Sequence, residues 1–97
     1  MKLFHRTALT PPVVLSVADT FFPELGLVMI ANAPRTRSYS GALGTVRLSA
    51  VSEGGHYTFV ESDSDQPGES RLDKNVKAFF VLLHTMADPR HALEAAY

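Results

Sequence analysis

The sequence predicts an α+β fold: an antiparallel sheet of about five strands, in the order β-α-β-β-β-β-α, packed against a long C-terminal helix. Three features point there. Residues 45–52, TVRLSAVS, alternate, with Val46, Leu48 and Ala50 on one face and Thr45, Arg47 and Ser49 on the other. Gly54-Gly55 follows at once and accepts the positive φ of a tight hairpin. Residues 70–87 then carry Leu72, Val76, Phe79, Phe80, Leu83 and Met86 at helical spacing.

The remaining elements fall into place around these three. Residues 2–8, KLFHRTA, alternate loosely and read as a short strand. A first helix starts after Thr10, a good N-cap, with Pro11 and Pro12 where a missing N–H costs nothing. Val14, Val17, Ala18 and Phe21 supply its apolar spacing, and Pro23 predicts its end near Phe22. Residues 27–31, LVMIA, are an apolar run of strand length. The turn NAPR leads to a strand over 36–40, TRSYS, and the turn GALG leads to the strand at 45–52.

A two-residue turn that pairs Glu53 with His56 sets Ala50 opposite Phe59, Leu48 opposite Glu61 and Val46 opposite Asp63. Tyr57, Phe59 and Glu61 then share the core face, and Val60 is more exposed. At the long helix, Ser70 followed by Asp73 resembles a capping box. Val81, Leu82 and in part Ala78 fall outside its apolar stripe, which predicts that something besides its own sheet covers them. After Asp88-Pro89, a short final helix is expected, whose Ala92, Leu93 and Ala96 could fold back over the same residues.

With 97 residues the chain fits one domain spanning 1–97, small enough to gain from self-association. A hydrophobic fraction of 45% excludes an intrinsically disordered chain. A formal net charge of −1 gives no broad cationic footprint, so no nucleic-acid partner is expected. The absence of cysteine removes thiolate chemistry, disulfides and Cys-type zinc sites. The opening MKLFHRTALT lacks a signal-peptide apolar run, and AFFVLL (78–83) is far short of a membrane span, so a soluble cytoplasmic protein with no membrane partner is expected.

Few residues suggest chemistry. Glu61, Asp63 and Asp65 alternate and would share one face of a continuing strand, where carboxylates could hold a hard cation. Asp63, Asp65 and Gly68 match positions one, three and six of a calcium loop, but Pro67 and Lys74 stand at positions five and twelve, so no metal site is expected. Glu61, turned inward beside Leu48, would need a partner such as Arg37, Arg35 or His5; Glu61, Arg37 and His5 are the catalytic candidates, with Glu61 as a general base. His5, His56, His84 and His91 hold no helical zinc pair, and no phosphate loop or nucleophile elbow is present. No cofactor is expected.

The stretches ALTPPVVLSVADTFFPELGL and RLDKNVKAFFVLLH resemble the opening strand-and-helix and the long closing helix of helix-grip proteins, the START, Bet v 1 and polyketide-cyclase group. The chain is shorter than those domains by about a strand pair. The resemblance implies a curved antiparallel sheet gripping the final helix, and binding or carriage of an apolar small molecule.

The sequence thus leads to a homodimer or larger homo-oligomer that binds an apolar small molecule or a protein partner between long helix and sheet. The expected lining is Leu48, Tyr57, Phe59, Phe79, Phe80 and Leu83. Two rivals stand beside it: a small enzyme using Glu61, and a purely structural subunit. A pocket with an ionisable group inside favours the enzyme; a filled core with an apolar outer patch favours assembly.

Overall fold

The computed structural model describes residues 1–88. The elements are β1 (Lys2–Thr7), α1 (Pro11–Glu24), β2 (Val28–Ala33), β3 (Thr36–Gly41), β4 (Gly44–Glu53), β5 (Tyr57–Ser64) and α2 (Arg71–Ala87). The five strands form one antiparallel sheet in the order β1-β5-β4-β3-β2. The first and last strands of the chain segment before α2 thus lie side by side, and β1 and β2 are the two edges. This is the α+β class and element order that the alternation and hairpin signals predict.

Both helices cover the same face of the sheet. α1 lies over β2, β3 and β4, and α2 over β1 and β5. The core fills the space between the layers. Val14, Leu15, Ala18 and Phe22 come from α1, Tyr39 from β3, Val46, Leu48 and Ala50 from β4, Val60 from β5, and Leu72, Val76, Phe79 and Leu83 from α2. The rings of Phe22, Tyr39 and Phe79 meet at centroid distances of 4.9 and 5.2 Å, a spacing at which aromatic pairs attract beyond their area burial.

Two helix ends differ from expectation. α1 runs through Pro23 to Glu24, two residues past the predicted stop. A proline in the last turn forfeits a single hydrogen bond there, and the N–H groups of Leu25 and Gly26 close the end on Phe22 and Pro23 carbonyls. Gly26, at φ 85°, makes the exit into β2. Thr10 precedes α1 as expected, but its hydroxyl caps nothing. At α2 the Ser70 Oγ does accept the Asp73 N–H at 3.0 Å and donates to Asp73 Oδ2 at 2.8 Å. Asp73 is fully buried and takes a second hydroxyl, from Ser64 on β5, at 2.9 Å. The start of α2 is therefore bolted to the end of β5.

The β4–β5 hairpin corrects the predicted register. Its loop has three residues, Gly54, Gly55 and His56, and Glu53 pairs with Tyr57. Gly54 and Gly55 both take positive φ, 64° and 74°, as expected, but the turn needs His56 as well. One added loop residue slips β5 by one and inverts all of its side chains. Ala50 faces Val60, Leu48 faces Ser62 and Val46 faces Ser64. Val60 is buried, whereas Tyr57 is exposed and Phe59 and Glu61 lie on the outer face.

Candidate functional site

The six residues expected to line a ligand gap separate into two groups. Leu48, Phe79 and Leu83 are fully buried and Phe80 nearly so. They pack in the core between α2 and the sheet. Tyr57 and Phe59 are on the opposite side of the sheet, turned there by the three-residue loop. The expected lining therefore does not surround one space.

The three catalytic candidates do not meet. Glu61 faces outward, with Lys2 Nζ 3.7 Å from its Oε1. Arg37 sits on the inner face of β3, where its Nε contacts Asp19 of α1 at 3.1 Å and its guanidinium donates to the carbonyls of Ala33 and Thr36. Asp19 also accepts from the Tyr39 hydroxyl at 2.7 Å. Burial, with the hydrogen bond and charge of Asp19 behind it, pushes the Tyr39 phenol above its ordinary range. This trio ties α1 to β3. His5 is on the inner face of β1, stacked on Phe80 at 5.2 Å. Burial lowers its basicity, and the charge of His84 adds to that. Its Nε2 and the Ser62 Oγ are both buried without a hydrogen-bond partner among the described residues. They do not bond each other, and both face the helical layer.

The acidic run is likewise dispersed. Glu61 and Asp63 point outward from β5, while Asp65 lies beyond the strand. Asp65 Oδ1 accepts from the Thr45 N–H and from Gln66 Nε2, each at 2.9 Å, and these bonds, the first foremost, hold its carboxyl below the usual range. Gly44, at φ 125°, is packed by the same Asp65 and Gln66 side chains, so this acid serves as a clasp for the β3–β4 turn.

What the fold leaves outside is apolar in three places. On the outer sheet face Phe4 stacks on Phe59 at 5.5 Å, and the Arg6 guanidinium stands 5.0 Å over the Phe59 ring while pairing with Glu53 at 2.8 Å. Val51 and Tyr57 adjoin them, exposed. Beside this patch Lys2, Arg47, Ser49, Glu61 and Asp63 line a shallow, charge-balanced depression. On the helical side, Leu82 and Met86 of α2 and Val17 and Phe21 of α1 line an open groove, with Val81 exposed nearby on α2. At the far edge, β2 exposes Val28 and Ile30. Val81, Leu82 and Ala78 lie outside the buried stripe of α2, as their spacing predicts, and are exposed. The expected final helix lies outside them.

No family model matches the chain, and searches of curated proteins and of solved structures return no match.

The outer aromatic patch was hidden from sequence reading by the register of one hairpin. With the loop counted as Gly54-Gly55-His56, the alternation of Phe4, Arg6, Tyr57 and Phe59 would place all four outside. The apolar run LVMIA (27–31) reads as a strand, but β2 continues to Ala33, into the predicted NAPR turn, and its place at an edge follows from the strand order alone.

Proposed function

We propose that this chain is a self-associating domain, an α+β building block that works by assembly with further copies of itself. One observation carries the reading: the interior between sheet and helices is filled, and the surplus of large apolar side chains is on the outside. Among the described residues, ten large apolar side chains are more than a third exposed. Isolated cases such as Met1 and Val13 are normal on any surface, but the other eight group on the outer sheet face, along the helical groove and on β2. A filled core with outer apolar patches is what an assembly subunit needs and what a carrier of an internal ligand lacks.

A second reading rests on the helical groove. Val17, Phe21, Leu82 and Met86 could take a small apolar molecule between α1 and α2, outside the core rather than within it. Native mass spectrometry of the protein taken from its host separates the two. Self-association predicts a multiple of the 10.6 kDa chain with no added mass. A monomer carrying a retained small molecule would instead establish the groove as a ligand site.

A further inference from the structure

The two edges of the sheet are unlike. β1 carries Lys2 and Arg6 on its outward face, paired with Glu61 and Glu53. Such cations are a common guard against unwanted strand pairing. Among the described residues β2 has β3 as its only neighbour, and no strand bonds the backbone along its other side. From Val28 to Ala33 it bears no charge and no proline. Val28 is 65% exposed and Ile30 60%. The one guarding feature is a bulge between Met29 and Ala31, and it leaves the Ile30 side chain in solvent.

We infer that β2 is the assembly edge: it pairs antiparallel with β2 of a second copy about a twofold axis, joining two five-stranded sheets into one. This rests on the self-association reading and names its surface. The charge pattern along the chain selects both the partner and the direction. From Ala8 to Pro34 the only charged residues are Asp19, which Arg37 pairs within the fold, and Glu24, which is exposed just before β2; the β2–β3 turn that follows carries Arg35. An antiparallel copy lays the basic turn of one chain beside the acidic approach to β2 of the other, at both ends of the contact. Parallel pairing would set like against like. Pairing β2 with the β1 edge of another copy would propagate into an open chain, whereas the twofold contact closes on itself. An antiparallel strand contact is also self-complementary, so one uncharged strand supplies both sides.

The test is sedimentation velocity on the full chain and on folded variants, at up to about 100 µM, the range suited to a contact at the small end of interface sizes. The wild type is expected to dimerise. Ile30→Lys, placing two cations beside the axis, is expected to raise the dissociation constant at least about tenfold, while Leu82→Glu on the helical groove leaves it unchanged. Arg35→Glu and Glu24→Arg should each weaken the dimer, and the double exchange should restore it. A dimer that survives Ile30→Lys but is lost in Leu82→Glu overturns the β2 edge and leaves self-association standing. A wild type that remains monomeric overturns both.

Discussion

Val60 lies directly opposite Ala50 across β4 and β5, with both side chains fully buried, and its neighbour Phe59 is thereby turned to the outer face. Val60→Ala should therefore cost about 2 kcal/mol, as a core truncation. Phe59→Ala should cost about 1 kcal/mol, the worth of a half-buried ring pair on the outer face. Chemical denaturation of the two variants gives the order directly. A larger loss at Phe59 would restore the two-residue turn and its register.

The buried carboxylate of Asp73 joins two elements, because it accepts from Ser64 of β5 and from Ser70 at the head of α2. Asp73→Ala strands both hydroxyls and should destabilise by about 2 kcal/mol or more. Ser70→Ala removes the cap and one of the two hydroxyls on that carboxylate but leaves the Ser64 bond in place, and should cost about 1 kcal/mol. Unchanged stability in Ser64→Ala, measured by denaturant titration, would mean that the Ser64 bond contributes nothing.

The Tyr39 hydroxyl, fully buried and bonded to Asp19, should be worth about 1.5 kcal/mol, read as the difference between wild type and Tyr39→Phe. The same phenol is held above its ordinary pKa, so its contribution is fully present below the unfolded value and is lost progressively as pH rises from there through the folded one. An alkaline unfolding limb that is unchanged in Tyr39→Phe would contradict this assignment.

His5 gives the acid side. Burial against Phe80 and the charge of His84 lower its folded pKa below the unfolded value of 6.5. The neutral ring is favoured in the fold, so this stabilisation is fully present above pH 6.5 and is lost as pH falls through the folded pKa. The melting temperature should drop on acidification, and His5→Leu should flatten the drop. A variant with the same acid profile as wild type would place the titration elsewhere.

These features differ in how far they can be read from residues. Strands and helices announce themselves by period: the alternation of Val46, Leu48 and Ala50 and the stripe from Leu72 to Leu83 each need one burial face, and no tertiary contact competes with them. The Ser70–Asp73 pairing is equally local. The facing of β5 is not, because the alternation is satisfied by either register and the choice turns on whether His56 belongs to the strand or to the loop. Tyr57, Phe59 and Glu61 followed that single residue to the wrong face. The Asp19–Arg37–Tyr39 trio joins residues 18 and 20 apart in sequence, brought together only by α1 folding back over β3. That β2 is an edge depends on β1 pairing with β5, a contact between the two ends of the sheet-forming segment.

The most direct measurement is backbone amide exchange of the whole chain, followed by residue at low and at high protein concentration. If copies join through β2, amides of residues 28–33 gain protection as concentration rises, and those of β1, at the guarded edge, do not. If no amide in the chain responds to concentration, the domain does not self-associate, and the account fails at its centre.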